Sequence, residues 1–392
     1  MDHAAALPND VRTLWRLEPG VRYLNHGAFG ACPEPLLAEQ AEWRLRMERQ
    51  PARFFMNDLP RLLREAAATL AGFVGTAPDR LGFVDNASTA VNAVIAAAPL
   101  APGDALLTTD HVYNAVRQTL RHHAGRAGAA VIEAPLGMPL ASAEAVVEAV
   151  VSRITARTRL IVLDHVASPS AAIMPVGPII AAARARGVPV LVDGAHAPGL
   201  IALDIDALGA TWYAGNCHKW LCSPKGAGFL AVAEDAPWAV HPTVISHAYG
   251  QGFAAEFDKT GTRDVSAWLT VPASIALHQR LGGPDLRARN MQLAGQAATA
   301  LADALGTGLG APPDMFAAMA TVRVPDGLAP DWPSAARLRE ALWTRARIEL
   351  PVMALGGALW LRLSAQAYNT QADLNDLAGP VRDAVLGARH AP

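Results

Sequence analysis

The run Val188-Pro189-Val190-Leu191-Val192 stops abruptly at Asp193-Gly194-Ala195-His196, and no other feature constrains the fold of this chain as strongly. A short β-branched apolar stretch bounded by turn formers is how a strand buried on both faces of a parallel sheet looks in sequence. Such a strand needs helices above and below it. The same form recurs at residues 81–84 before Asp85, at 104–109 before Asp110 and at 160–163 before Asp164. Helical periodicity fills the intervals at 35–49, 59–73, 90–98, 142–154 and 178–186, which predicts an α/β fold built on a large, doubly wound, mostly parallel sheet. From about Ser266 the pattern changes to helices at 268–281, 286–305 and 334–345, with strands at 320–324 and 359–364. This predicts a smaller α+β C-terminal domain. The expected organisation is an N-terminal arm at 1–20, a large domain at 21–265 and a small domain at 266–392.

In open α/β sheets ligands bind beyond the carboxyl ends of the strands, so Asp193 faces a crevice and calls for a cationic partner there. A second apolar-to-polar transition, Trp212-Tyr213-Ala214-Gly215 into Asn216-Cys217-His218-Lys219, delivers a lysine from another strand end. A lysine flanked by cationic groups, here His218 and Lys225, loses proton affinity and becomes a nucleophile able to form a Schiff base. Read singly, Asp193 is equally a strand-end cap and Lys219 a surface charge. Read together they suit pyridoxal 5′-phosphate, whose pyridine nitrogen stays protonated only when a carboxylate faces it. His196, three residues on, is placed to reach the phenolic oxygen, and Asn216 and His218 to help hold the phosphate.

A third strand end leads through Asp85-Asn86-Ala87-Ser88-Thr89 into a helix. Unpaired backbone N–H groups and the helix dipole make such a turn an anion site. Ser88 and Thr89 read equally well as helix caps. Tyr113, beyond the strand at 104–109, can stack on a flat ring or serve as an interfacial tyrosine. Arg362 stands alone among the apolar residues of 359–364, which is costly unless it meets an anion.

Composition narrows the alternatives. Of 392 residues, 52% are hydrophobic, which supports a large core, and the net charge is −2 with both signs dispersed. That leaves no electrostatic footprint for nucleic acid or an anionic membrane. The first residues lack a basic and apolar leader, so a cytoplasmic location is expected. Cys32, Cys217 and Cys222 are too few and too unevenly placed for a disulfide framework or zinc site, and no metal is expected.

Asp193-Gly194-Ala195-His196, then Asn216-Cys217-His218-Lys219, then Pro224-Lys225-Gly226-Ala227-Gly228, resembles the class V aminotransferase superfamily of fold-type I PLP-dependent transferases. The likeness spans residues 23 to about 377 and is strongest to its isopenicillin N epimerase-like members. The resemblance implies that Asn86, Ala87, Ser88 and Thr89 bind the phosphate and that Tyr113 lies over the pyridine ring. It also implies that the turn at Asp164 approaches the ring and its 3-hydroxyl. The Asn25-His26-Gly27 loop would lie at the substrate mouth, and Arg362 would grip the substrate α-carboxylate. Thr262, in the turn 260–264, would complete the phosphate site of a second subunit, so a homodimer is implied.

The resulting expectation is an enzyme in which Lys219, Asp193 and Tyr113 are catalytic and the Cα proton of an amino acid is removed. An epimerase is the leading reading, with Tyr113 and His26 as candidates for the acid on the far face. A carbon–sulfur lyase acting on cysteine conjugates, such as hercynylcysteine sulfoxide, or an aminotransferase is the alternative. Cysteine desulfurases carry a nucleophilic cysteine well downstream of the lysine, and no cysteine follows Cys222. A metal-dependent hydrolase using Asp193, His196 and His218 lacks helix-based ligand spacing and leaves Lys219 without a role.

Overall fold

The computed structural model describes residues 10–389. Eight strands form in the first two-thirds of the chain: β1 (Arg22–Tyr23), β2 (Leu81–Val84), β3 (Ala105–Thr109), β4 (Ala130–Ala134), β5 (Thr158–Asp164), β6 (Val190–Gly194), β7 (Trp212–Asn216) and β8 (Gly228–Val232). All but β1 make one sheet in the order β4-β3-β5-β6-β7-β8-β2. The neighbours pair in parallel from β4 to β7, whereas β8 runs antiparallel to both β7 and β2. A parallel return needs a long crossover. No helix lies between Asn216 and Gly228, so the chain turns back at once, and that turn carries Lys219.

Alternate residues of these strands enter two different cores. Phe83, Leu107, Ile161, Leu163, Val190, Val192, Tyr213 and Phe229 face one layer. Val84, Leu106, Leu160, Val162, Leu191, Trp212, Ala214 and Leu230 face the other. Period-two alternation with both sides apolar accounts for the unbroken hydrophobic runs in the sequence. The expected doubly wound sheet is present. β4 escaped prediction because it is a partly exposed edge strand with a short apolar pattern.

The remaining strands are β9 (Met319–Arg323), β10 (Ile348–Glu349), β11 (Val352–Leu355) and β12 (Ala358–Ser364). β11, β12 and β9 form an antiparallel sheet, with Arg362 opposite Thr321. The long helix Pro284–Leu305, capped by Gly306 in the left-handed region, and the helix Trp332–Ala346 accompany it. β1 pairs in parallel with β10, although the two are distant in sequence. Leu24 extends the link, donating its N–H to Glu349 O at 3.0 Å while its carbonyl accepts from Ser364 N at 2.9 Å. Residues 25–27 are thereby laid beside the end of β12.

Of the expected arm, residues 1–9 lie outside the described residues. The part that follows forms the turn Val11–Leu14, capped by Asp10. Trp15 then packs edge-on against Tyr368 at 5.2 Å. Among the described residues no helix is long and apolar enough to cross a membrane.

Candidate active site

β5 and β6 run side by side with Asp164 and Asp193 in the same row, both nearly buried. Ala195 donates its N–H to Asp193 Oδ1 at 3.0 Å, which fixes the carboxylate at the strand end. Burial raises the proton affinity of both carboxyls, and the Asp193 charge pushes Asp164 further up. Gly194 is required directly after Asp193 because a Cβ there would lie 2.2 Å from the Tyr213 ring.

β7 delivers Asn216, whose Oδ1 accepts from the N–H of Ala87 at 2.8 Å. Asn86 caps the helix Ala87–Ala97 by accepting from Thr89 N at 3.0 Å. Two of the orphan N–H groups of that helix start are therefore held within the protein, while the Ser88 N–H has no acceptor among the described residues. The cap leaves this helix start as a candidate anion site. His218 donates Nδ1–H to Ala227 O at 2.9 Å, and burial lowers its pKa to about 4, so the ring is neutral.

Lys219 Nζ lies 3.2 Å from His196 Nε2. Burial lowers the amine pKa to about 8; Asp193 opposes this shift and Arg362 adds to it. On its other side His196 Nδ1 accepts from the indole N–H of Trp220 at 3.4 Å. Indole is a donor only, so the neutral imidazole keeps its proton on Nε2, where the uncharged amine of Lys219 accepts it. Burial holds His196 well below the ordinary histidine pKa. Trp220 had drawn no attention in the sequence; its position directly after the lysine was the one available signal.

The N-terminal turn closes the lysine loop. His26 Nε2 meets the Lys219 carbonyl at 2.9 Å and His26 Nδ1 meets the Tyr368 hydroxyl at 2.9 Å. With the ring fully buried and its pKa lowered to about 3, Nε2–H donates and Nδ1 accepts. Neither nitrogen is left to present to a substrate. Gly30, at φ +66°, lets this turn abut the lysine backbone, since a Cβ would sit 2.8 Å from Lys219 O. Gly27 packs against Met319 and Trp220. Asn25 donates to Glu349 at 2.9 Å, and its Oδ1 is buried without a partner among the described residues.

Arg362 is buried and donates through one amino group to Ser168 O at 2.6 Å and Ser168 Oγ at 2.8 Å. Among the described residues it forms no ion pair, so most of its guanidinium fork remains for a carboxylate. Burial lowers its pKa to about 10, which still leaves it charged at neutral pH. Tyr113, 44% exposed, directly precedes the helix Asn114–Ala127.

The structure thus brings Lys219, His196, Asp193, Asp164 and Arg362 to one edge of the sheet, with Asn216 joined to the cap at Asn86. It does not bring Thr262 to them within the single chain. Thr262 is exposed, although its neighbour Arg263 pairs with Asp85 and lies over the Trp268 ring at 4.6 Å. Among the described residues no group of three or more His, Cys, Asp or Glu is arranged to hold a metal ion.

These residues fit pyridoxal 5′-phosphate. A carboxylate stands ready for the ring nitrogen, an amine of lowered proton affinity for the aldehyde and a helix start for the phosphate. The buried Asp164 Oδ2 has no hydrogen-bond partner among the described residues and calls for one from a ligand. Fold and site define a fold-type I PLP-dependent enzyme. The chain belongs to the class V aminotransferase family, whose model, described as Aminotransferase class-V, matches residues 54–377.

The isopenicillin N epimerase of Amycolatopsis lactamdurans is 36% identical over 387 residues, covering 94% of this chain and 96% of that protein. An L-cysteine desulfhydrase of Arabidopsis thaliana is 31% identical over 402 residues, covering 94% of this chain and 88% of that protein. The solved structure of the cystine C-S lyase C-DES with its product cysteine persulfide superposes with a TM-score of 0.81 at 22% identity. It covers 93% of this chain and 98% of that one, and it supports the fold.

Proposed function

We propose that the enzyme removes the α-proton of an L-amino acid and expels a sulfur substituent from the β-carbon, acting as a carbon–sulfur lyase on cysteine or a cysteine conjugate. Arg362 holds the α-carboxylate through the donors that Ser168 leaves free. Asp193 would keep the ring nitrogen of a bound cofactor protonated, and the Nε2–H of His196 would be available to its phenolic oxygen. When bound, the cofactor supplies an electron sink for the pair left on Cα. The Lys219 amine, whose lowered proton affinity suits it as a base, would take the Cα proton.

One observation changes the order of the sequence-based readings. His26, a candidate for the acid that epimerisation needs on the far face, is fully buried with both nitrogens engaged. Elimination needs only one base at Cα, and Lys219 supplies it. Epimerisation is the second reading, with the partly exposed Tyr113 as the remaining candidate for the acid on the far face.

The experiment is to incubate the holoenzyme in D2O with L-cysteine, its thioethers and amino acids lacking a β-sulfur. Pyruvate and ammonia released from the sulfur compounds support elimination. Deuterium at Cα with inverted configuration and no keto acid would reject it in favour of epimerisation. We also propose a homodimer, since Phe29, Val244, Ile245 and Tyr249 are exposed large apolar side chains. A monomer by light scattering at micromolar concentration would remove that part.

A further inference from the structure

Asp164 and Asp193 share one row of neighbouring parallel strands, 5% and 4% exposed. Neighbouring strands lie roughly 4.8 Å apart, so the two carboxyls leave adjacent backbone positions on the same face of the sheet. Like charges so close in a buried site do not both persist, and one carboxyl keeps its proton. The surroundings decide which.

Asp193 accepts the Ala195 N–H, and positive charge on Lys219 lowers its proton affinity. Asp164, by contrast, has an Oδ2 that is buried and has no hydrogen-bond partner among the described residues. An ionised carboxylate seeks donors at both oxygens, but a neutral one has a hydroxyl that seeks an acceptor. The charged side chains acting on Asp164 are Asp193 from β6 and Lys219 from the loop after β7. Arg362, the other cation of the site, is engaged with Ser168.

We propose that Asp164 is held as a neutral carboxylic acid whose Oδ2 hydroxyl donates a hydrogen bond to the phenolic oxygen of the pyridoxal ring, beside His196. The inference rests on the cofactor reading and is independent of the substrate. The phenolic oxygen carries negative charge, so an ionised Asp164 repels it while the neutral acid complements it. The two carboxyls of one row are thereby given opposite tasks: Asp193 faces the cationic edge of the ring as an anion, and Asp164 faces the anionic edge as a donor.

Asp164→Asn keeps the shape and a donor, and Asp164→Leu keeps volume alone. Each holoenzyme is compared with the parent by pH titration of the visible cofactor band and by the cofactor dissociation constant. The Asn variant stays within about twofold of the parent in affinity. The Leu variant binds roughly tenfold more weakly, the effect of one lost hydrogen bond. Its titration midpoint moves up by about one pH unit, because a less stabilised phenolate holds its shared proton more tightly. In the parent, a holo-minus-apo infrared difference spectrum contains a protonated-carboxyl carbonyl band that Asp164→Asn removes.

An Asn variant displaced in midpoint as far as the Leu variant, a Leu variant that titrates like the parent, or a parent spectrum without that band would overturn the proposal. If the Leu variant does not fold, the Asn titration and the infrared band still decide. Failure of the parent to bind pyridoxal phosphate at all is a different result, and it would reject the cofactor reading itself.

Discussion

Nε2 of His196 lies 3.2 Å from the side-chain amine of Lys219, and the indole of Trp220 on the far side of the imidazole determines which nitrogen carries the proton. Replacing Trp220 with Phe removes the donor at Nδ1 and frees the ring to change tautomer. The expected outcome is a holoenzyme of near-normal cofactor content whose visible band titrates at a midpoint raised by roughly half a unit, the scale of one weak hydrogen bond. Spectrophotometric titration of the variant checks it.

Lys219 is the amine expected to bond covalently to the cofactor. Lys219→Ala should lose the borohydride-reducible link between protein and cofactor. It should also lose activity by roughly a thousandfold or more, because nucleophile and base disappear together. Mass spectrometry of borohydride-treated protein gives the first result, and steady-state assay gives the second.

The Lys219 amine has its pKa lowered from 10.5 to about 8, chiefly by burial. Its neutral, nucleophilic fraction therefore rises as pH increases through about 8. Reconstitution of apoenzyme with pyridoxal phosphate should accelerate from pH 7 to 9 and level off above. Stopped-flow absorbance records the profile, and a rate that falls over this interval would contradict it.

Arg362 donates to Ser168 but pairs with no carboxylate among the described residues. Arg362→Ala should lower kcat/KM by roughly a hundredfold, equivalent to about 3 kcal/mol of charge-assisted hydrogen bonding, while cofactor affinity is unchanged. Arg362→Lys should recover only part of the loss, since an ammonium cannot make the bidentate contact. Paired kinetic and cofactor-binding measurements separate the two effects.

His26 bridges the Tyr368 hydroxyl and the Lys219 carbonyl in a fully buried position. His26→Ala leaves both groups without this partner and should destabilise the apoenzyme by about 1–3 kcal/mol. Tyr368→Phe, which removes one donor, should cost about 1 kcal/mol. Urea denaturation of the variants measures both.

Much of this was legible before any coordinates. The buried strands ending at Asp164, Asp193 and Asn216 announce themselves because a strand covered on both faces must be apolar throughout, and a polar residue at its end breaks that run. The turn at Asn86 was legible for a related reason, since caps and anion sites use the same residue types. β1, β4, β10 and β11 were not legible, because two-residue strands and half-exposed edges leave no periodic signature.

The chain's own order determined that an acid, a lysine and a helix start would emerge along one edge of a parallel sheet, because local hydrophobic pattern and strand connectivity suffice for that. Only the tertiary structure decided that His26, far upstream, is spent on the lysine's carbonyl. It alone decided that Trp220 orients His196, that Ser168 takes part of Arg362 and that Asp164 is left with an unmatched oxygen. Those outcomes depend on which side chains from distant segments come within hydrogen-bonding reach once the core has packed, and no local pattern encodes such distances.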